Sequence, residues 1–290
     1  MKRKFGSMST DAQKASQAVP SRITLNPRER QLRELLVAAA AHIDQQAAGA
    51  KTEHGDGQPQ HGPLILRWAG GWVRDKLLNL ESHDIDVAIN TMTGEAFALE
   101  LQAFSSIEAN RAAYNIGPDD LKHLHTIKKN PDSSKHLETA TTSLFGLDLD
   151  FVNLRKETYA ADSRNPQIEF GTAEEDALRR DATINALFYN LQSGELEDFT
   201  GGLPDLADGM IRTPLEPLQT FTDDPLRVLR LIRFASRLQF RIDDASERVM
   251  SDPQVLDALK QKIRRERVGI ELEKMLKGWF PTCPSPFPPR

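Results

Sequence analysis

Two aspartates separated by one residue give this sequence its clearest chemical signal. Asp84 and Asp86 lie at the start of a run, residues 85–89, whose alternating apolar positions predict a β-strand. Side chains two residues apart on a strand point to the same face, so the two carboxylates should lie side by side. Such a pair is repulsive unless a dication binds, and its oxygens suit Mg²⁺ bridged to nucleotide phosphates. The pair therefore predicts a metal site for phosphate chemistry, formed by Asp84 and Asp86.

A glycine pair lies just upstream of these aspartates. Gly70 and Gly71 follow a short apolar run and precede a segment, 73–80, whose composition suits a helix. Glycines between a strand and a helix let backbone amides approach a phosphate closely, and Arg74 follows within one helical turn. The sequence lacks the Gly-x-x-x-x-Gly-Lys signature of a P-loop. A solvated strand with two surface aspartates is the alternative, and the adjacent glycines disfavour it.

A third carboxylate is expected from the later β-rich run, residues 147–154. Asp148 and Asp150 are also two residues apart in this run. Asp150 precedes its most apolar stretch, where an unpaired carboxylate would be costly to bury. Asp148 lies nearer the turn at Gly146 and is more easily a surface residue. We therefore select Asp150 as the third catalytic carboxylate.

A basic cluster follows in residues 174–189, which we predict to be a helix. Arg179 and Arg180 precede Asp181, and Asn185 lies one turn further on. Two arginines can clamp a triphosphate through several charge-assisted hydrogen bonds. Ion pairing on the surface of the helix is the alternative, and the tripeptide alone would favour it.

Asp224 and Arg227 begin a strongly amphipathic helix over residues 225–238. Asp224 can cap this helix, with Pro225 in its first turn, and that role explains the residue structurally. Aspartate and arginine side chains can also hydrogen-bond the edge of a base. Both interpretations remain open from the residues alone.

The motifs require a set of elements to position them. A mixed α/β region is expected up to residues 215–222, followed by a helical one. The predicted helices are 28–46, 73–80, 95–104, 174–189, 225–238 and 263–276. The predicted strands are 64–68, 85–89, 136–145, 147–154 and 195–199, with a hairpin at Gly146 and loops over 109–135 and 155–172.

Composition and charge narrow the function classes. The single cysteine, Cys283, excludes an intramolecular disulfide and a Cys-rich zinc site. The longest strictly apolar run, 35–41, is too short for a membrane-spanning helix, so we expect no membrane partner. The net charge of −5 argues against a nucleic-acid partner. Residues 223–290, however, hold 14 Lys and Arg against 10 Asp and Glu, so a polyanion should prefer this part.

Taken together and in order, the clusters resemble the class II tRNA nucleotidyltransferases, the CCA-adding enzymes, whose head and neck are shared by bacterial-type poly(A) polymerases. The family's motifs A to E are matched in order by residues 67–75 with 84–86, 179–186, 198–214, 223–227 and 265–276. Residues 135–140 and 150–155 are similar to the eukaryotic, fungal-like branch. Motif D begins here with Asp223 where the family commonly has glutamate, and the charge is kept.

The resemblance implies an α+β fold, in which a nucleotidyltransferase (polymerase-beta-like) head with a small mixed β-sheet flanked by helices precedes an all-helical neck. The implied organisation is a disordered tail at 1–26, the head at 27–220, the neck at 221–280 and a Pro-rich irregular tail at 281–290. Family members continue beyond motif E, so the chain resembles a C-terminally truncated product.

The resemblance also implies a function, which is CCA addition to tRNA 3′ ends from CTP and ATP without a nucleic-acid template. Asp84, Asp86 and Asp150 would be catalytic and hold Mg²⁺ while the 3′-hydroxyl attacks the α-phosphate. The implied nucleotide-binding residues are Gly70, Gly71, Arg74, Arg179, Asp181, Asn185, Asp224 and Arg227. Alternatives are a poly(A) polymerase, a CC- or A-only enzyme, or a non-catalytic nucleotide-binding fragment. The implied compartments are cytoplasm, nucleus and/or mitochondrion.

Overall fold

A mixed β-sheet forms the centre of the computed structural model, which describes residues 20, 22–51, 62–120, 128–129, 139–158 and 166–278. The first five sheet strands are β1 (Leu66–Ala69), β2 (Asp84–Ile89), β3 (Lys128–Lys129), β4 (Ala140–Leu144) and β5 (Leu147–Asn153). A separate hairpin follows, made of β6 (Arg155–Thr158) and β7 (Gln167–Phe170). The last two sheet strands are β8 (Leu187–Asn190) and β9 (Leu196–Asp198). Within the described residues the sheet has seven strands in the order β3-β4-β5-β2-β1-β8-β9. The predicted α+β class is confirmed.

Helices cover one face of this sheet. They are α1 (Pro27–Lys51), α2 (Gly71–Leu77) and α3 (Gly94–Ser106), and the short helix α4 (Glu108–Ala113) packs on α3. The helix α5 (Ala173–Leu178) packs on the opposite face through Ala173 and Ala177. The α1 side chains Leu32, Leu35 and Leu36 recur at helical spacing and are fully buried in the core. On β2 the buried residues alternate with Asp84 and Asp86, which leaves the two aspartates on the open face. The main apolar core therefore lies on one side of the sheet, and the opposite face carries the two aspartates next to a smaller apolar cluster that includes Ala88.

A helical region follows the sheet. Its elements are α6 (Gly202–Asp208), α7 (Pro217–Asp223), α8 (Leu226–Leu238), α9 (Asp244–Met250), α10 (Pro253–Lys262) and α11 (Arg265–Gly278), with a short parallel pair of β10 (Met210–Ile211) and β11 (Arg241–Ile242). The prediction of helix 225–238 is confirmed, and its apolar side chains Val228, Leu231 and Phe234 are buried. The expectation of an all-helical neck missed β11.

The helix predicted over 174–189 is wrong beyond its first third. A capping box between Thr172 and Glu175 starts α5, but the helix ends at Leu178. A 3₁₀ turn over Thr183–Asn185 and then β8 follow. Strand β8 pairs with β1, and its aromatic residues suit a sheet, so tertiary pairing overrides the helical composition. The basic motif therefore lies on a turn between elements.

Two predicted loops are also partly wrong. Residues 155–172 contain the β6–β7 hairpin, and residues 109–135 begin within α4. A Cβ atom at Gly171 would lie 2.6 Å from the Lys156 amide nitrogen, so glycine permits the close return of β7. The hairpin predicted around Gly146 is confirmed by the antiparallel pairing of β4 with β5.

Some predicted segments fall outside the described residues. These are the N-terminal tail up to residue 19, the start of the run 136–145, and the Pro-rich segment 281–290. Leu25, which belongs to the predicted N-terminal tail, is buried in the core. No helix in the described ranges has the length and apolar character needed to cross a membrane.

Candidate functional site

The parallel pairing of β2 with β5 assembles the carboxylates. In this register Asp84 lies beside Asp148, and Asp86 lies beside Asp150. Neighbouring residues of paired strands point to the same face about 4.8 Å apart, so all four carboxylates share the open face of the sheet. Asp150 is half-buried and its Oδ1 accepts a 2.6 Å hydrogen bond from Thr141 Oγ1. The structure thus brings the three predicted catalytic aspartates together.

Asp86 lies on this face beside the Gly70 turn. Its side chain keeps contact with solvent, yet enough protein surrounds it that desolvation raises the pKa of Asp86. The positive charge of Arg180 acts to lower that pKa, and the neighbouring charge of Asp150 adds to the increase. The pKa of Asp86 is raised overall because desolvation, together with the charge of Asp150, outweighs the charge of Arg180.

The turn at Gly70 lies directly against Asp86. Gly70 has a φ of 69°, in the left-handed region that favours glycine. A Cβ atom there would lie 2.9 Å from Arg180 Nη1 and 3.6 Å from Asp86 Oδ2. The missing side chain therefore leaves space where a backbone turn, a carboxylate and a guanidinium converge. Gly71 begins α2 from this turn.

Arg180, rather than Arg179, is the arginine nearest the aspartates. Arg180 donates to Asp176 Oδ2 at 2.8 Å and to the Asn185 carbonyl oxygen at 3.1 Å, which holds it over Gly70. Arg179 instead contacts the other Asp176 oxygen and donates to Glu157 Oε1 at 3.0 Å. Sequence analysis named Arg179, and not Arg180, as the nucleotide-binding residue of this pair. The position of Arg180 next to Arg179 in the same motif was the signal that could have identified it.

Asp176 anchors both arginines from α5. It is almost fully buried, which acts to raise its pKa, but Arg180 and Arg179 outweigh burial and hold the pKa of Asp176 below its usual range. A buried carboxylate with two guanidinium partners fixes both arginines with little freedom. Sequence reasoning missed Asp176, because its role depends on where α5 ends.

Arg74 lies inside the protein and not at the open face. It is 4% exposed, donates to Asp75 Oδ1 at 2.7 Å and donates to Asn185 Oδ1 at 2.5 Å. Asn185 Nδ2 in turn donates to Asp181 Oδ1 at 3.0 Å. Burial lowers the pKa of Arg74, against the raising effect of Asp75. The side chains of these residues join α2 to the 3₁₀ turn, and Arg74 is part of this buried connection.

Asp181 connects that turn to α8. Its Oδ2 accepts a 2.6 Å hydrogen bond from Arg230 Nε. Burial acts to raise the pKa of Asp181, but the charge of Arg230 and hydrogen bonds from Asn185 and Arg230 bring it well below the usual range. Asp181 is therefore an ionised anchor for the helix.

The arginines of α8 at positions 227, 230, 233 and 237 recur at helical spacing, and they are largely paired with carboxylates. Arg233 donates to Glu271 Oε2 at 2.7 Å, and Arg230 Nη1 lies 3.8 Å from Glu271 Oε1. Arg237 Nη2 lies 3.4 Å from Asp75 Oδ2. These arginines belong to residues 223–290, which the sequence analysis predicted to attract a polyanion. Their carboxylate partners show that they join α8 to α2, the 3₁₀ turn and α11.

Arg227 lies beside Arg179, and its amide donates to the Asp224 carbonyl oxygen at 3.0 Å. Arg227 is buried and its Nη2 donates to the Arg179 carbonyl oxygen at 2.6 Å. Asp224 is half-buried and its Oδ1 accepts from the amide of Leu226, the first residue of α8, at 3.2 Å. The predicted capping position is shifted by one residue, because Pro225 occupies the cap. The structure therefore brings the predicted basic cluster at Arg179 next to the predicted base-reading residue Arg227.

A further set of residues supports the 3₁₀ turn. Asp198 accepts backbone hydrogen bonds from Gly202 at 2.8 Å and Leu203 at 2.9 Å, which orients the start of α6. A Cβ atom at Gly202 would collide with the Thr183 carbonyl oxygen. Thr183 Oγ1 donates to Asp205 Oδ2 at 2.7 Å. Residues of motif C thus hold the 3₁₀ turn, which belongs to motif B, in place.

A cleft of about 430 Å³ lies between residues 20 and 22–26, α2 and residues 79–83. Its lining includes His83 but none of Asp84, Asp86 or Asp150. The carboxylate face is open rather than enclosed, so chemistry and not cavity size identifies the candidate site. Among the described residues, no group of three or more His, Cys, Asp or Glu side chains is already arranged around a metal position.

The chain matches the family described as "Poly A polymerase head domain" over residues 66–212. A nucleotidyltransferase named lcsQ from Purpureocillium lilacinum is 62% identical over 289 residues, which cover 98% of this chain and 46% of that protein. The mitochondrial CCA tRNA nucleotidyltransferase of Saccharomyces cerevisiae is 60% identical over 76% of this chain and 39% of its own length. The chain therefore spans about half the length, or less, of these relatives.

Among solved structures, this chain resembles a Thermotoga maritima CCA-adding enzyme complexed with tRNA. The TM-score is 0.60 and the sequence identity is 27%. The match covers 87% of this chain and 48% of the other.

Proposed function

We propose that this chain, which belongs to the poly A polymerase head-domain family, is a tRNA nucleotidyltransferase. In this proposal it adds CCA from CTP and ATP without a nucleic-acid template. The observation that carries this proposal is the β2–β5 register, which sets Asp84, Asp86 and Asp150 on one face. That face adjoins the Gly70 turn and Arg180. The relatives named above are CCA-adding enzymes or a nucleotidyltransferase.

The carboxylate face fits a divalent metal ion, which enzymes of this family generally use. Asp84, Asp86 and Asp150 offer hard oxygen donors from adjacent strands, and Mg²⁺ is the ion that we propose they hold. The empty space over Gly70 lies beside Asp86 and suits an approaching phosphate. When bound, Mg²⁺ neutralises triphosphate charge and favours deprotonation of the attacking hydroxyl.

The chain's own residues position the reactants. The Gly70 turn lets a triphosphate approach the backbone, and Arg180, held by Asp176, offers the guanidinium nearest to it. In the proposed step the tRNA 3′-oxygen forms a bond to the α-phosphorus while the bond to pyrophosphate breaks. Arg74 and Asn185 act behind this site by holding α2 to the 3₁₀ turn.

Asp224 and Arg227 are the proposed base-reading pair. Arg227 is fixed by the Arg179 carbonyl, and Asp224 by the first amide of α8, so both have defined orientations. Aspartate and arginine together present acceptors and donors along one edge of a base. They would select C and A over G and U.

The test is incorporation of labelled CTP and ATP into a tRNA transcript that lacks its CCA end. The 290-residue chain should add three nucleotides in the order C, C, A, and Asp84→Ala should abolish addition. Asp208→Asn, an exposed aspartate at the end of α6, is the matched control and should retain activity. Retained incorporation by Asp84→Ala would contradict the assignment.

The same assay separates the rival functions. The family match to a poly A polymerase head favours poly(A) synthesis as the second candidate, and a long A tract would identify it. Products that stop after CC, or gain A alone, indicate a CC- or A-only enzyme. Nucleotide binding without turnover on any RNA would indicate a non-catalytic fragment, which the partial coverage of the relatives motivates.

The proposed compartments include the mitochondrion, because the Saccharomyces cerevisiae relative is named a mitochondrial enzyme. A fluorescent fusion of the 290-residue chain tests this, and exclusion of the fusion from mitochondria would refute the mitochondrial proposal.

A further inference from the structure

A basic surface lies where α10 meets α11. Lys260 and Lys262 end α10, Arg264 lies in the connection, and Arg265 and Arg267 lie in the first turn of α11. We call these five residues the basic corner. Lys260, Arg264 and Arg265 are exposed, while Lys262 and Arg267 are half-buried. Residues 260–267 contain one acidic side chain against these five cations.

The charges of the basic corner are poorly matched inside the protein. Lys260 lies 3.4 Å from Asp257, but both side chains are largely exposed, and such pairs stabilise weakly. In the described part of the chain, Arg264, Arg265 and Arg267 have no carboxylate within 4.0 Å. The arginines of α8 differ, because they pair with buried carboxylates.

Folding does not account for this arrangement. Cations at the end of α10 are favourable, because they face the negative end of the helix dipole. Arg265 and Arg267 lie at the positive end of the α11 dipole, where cations are unfavourable, and they also repel each other. A polyanion bound from solution would offset both effects.

The basic corner adjoins the proposed nucleotide site. Lys262 Nζ donates a 2.9 Å hydrogen bond to the Thr222 carbonyl oxygen. Thr222 lies in the last turn of α7, two residues before Asp224. An RNA whose end reaches Asp224 would therefore pass close to these cations.

The chemistry of the surface indicates how RNA would be contacted. Single-stranded RNA is usually held by base stacking on aromatic side chains, and residues 253–278 contain no aromatic residue. Exposed lysines and arginines suit phosphates instead. On the premise of the proposed function, we propose that the basic corner binds the phosphate backbone of a double-stranded RNA stem next to the reacting 3′ end.

The test is direct binding of the 290-residue chain to a labelled tRNA transcript lacking CCA, across salt concentrations. A triple variant, Arg264→Ala with Arg265→Ala and Arg267→Ala, should weaken binding at least about tenfold near 0.1 M salt. The slope of log affinity against log salt should fall by up to about 2.7, or 0.9 for each lost phosphate contact. Binding of a single-stranded RNA of equal length should change less.

The matched control removes the same charge elsewhere. Arg241→Ala with Arg248→Ala and Lys274→Ala also removes three exposed cations, and thermal unfolding verifies that both variants remain folded. The control should bind RNA within about twofold of the unmodified chain. Equal affinities of the two triple variants would overturn the proposal.

The two proposals fail separately. Lack of nucleotide addition by the unmodified chain refutes the proposed function, whereas the RNA-binding comparison still tests the corner. Where addition occurs, the corner variant should raise the KM for tRNA and leave kcat nearly unchanged. If it keeps full RNA affinity but loses affinity for a polyglutamate peptide, the surface belongs to an acidic protein partner and the RNA assignment is wrong.

Discussion

Replacing Asn185 by alanine tests the buried connection behind the site. Its amide accepts from Arg74 at 2.5 Å and donates to Asp181 at 3.0 Å, and the residue is 7% exposed. Alanine removes two hydrogen bonds to charged groups, each worth about 1.5–3 kcal/mol. We therefore expect Asn185→Ala to lower the free energy of unfolding by about 3 kcal/mol or more.

Urea unfolding followed by circular dichroism measures this change. Asn110→Ala is the matched control, because Asn110 makes one neutral hydrogen bond, of 2.9 Å, to the Phe104 carbonyl oxygen. That control should lose about 1 kcal/mol. If Asn185→Ala loses no more stability than Asn110→Ala, the connection does not hold the turn as described.

Two further predictions concern the anchors of the 3₁₀ turn. Asp181 has a lowered pKa, so it stabilises the fold above its unfolded pKa of about 3.9, and this contribution is lost as pH falls through the folded value. Arg230→Met removes the largest influence that lowers this pKa, so the pKa of Asp181 should rise. The difference in unfolding free energy between this variant and the unmodified chain should therefore narrow from pH 7 to pH 4 in urea titrations. A difference as constant as that of the exposed control Arg241→Met would contradict this prediction. Gly202→Ala should lower the thermal midpoint, because a Cβ atom there meets the Thr183 backbone, whereas Gly269→Ala, where a Cβ atom meets open space, should not lower it. Equal midpoints of the two variants would exclude the predicted clash.

Short-range patterns predicted the aspartate strand and the hairpin. The alternation around Asp84 and Asp86 fixes which side chains face outward, and the Gly146 turn joins two β-rich runs. The amphipathic pattern of α8 is equally local, because buried and charged positions recur at helical spacing. These features depend on residues near one another in the chain.

Long-range pairing explains what sequence reasoning missed. The stretch after Leu178 has helical composition, but β8 forms because it pairs with β1, more than 100 residues earlier. Arg74 looked suited to a phosphate, yet its partner Asn185 is 111 residues away. The choice of Arg180 over Arg179 likewise depends on the position of Gly70, which local pattern does not reveal.

Nucleotide transfer by a single-site variant tests the carboxylate face most directly. The measurement is the rate of labelled CTP addition to tRNA lacking CCA, with saturating Mg²⁺, for the unmodified chain, Asp86→Asn and the exposed control Asp208→Asn. The side chain of asparagine is similar in size, so the change removes chiefly the charge at the centre of the site. Asp86→Asn should lower kcat by at least about a thousandfold, in keeping with several kcal/mol of lost transition-state stabilisation, while Asp208→Asn stays near the unmodified rate. Equal rates for all three proteins would contradict the account.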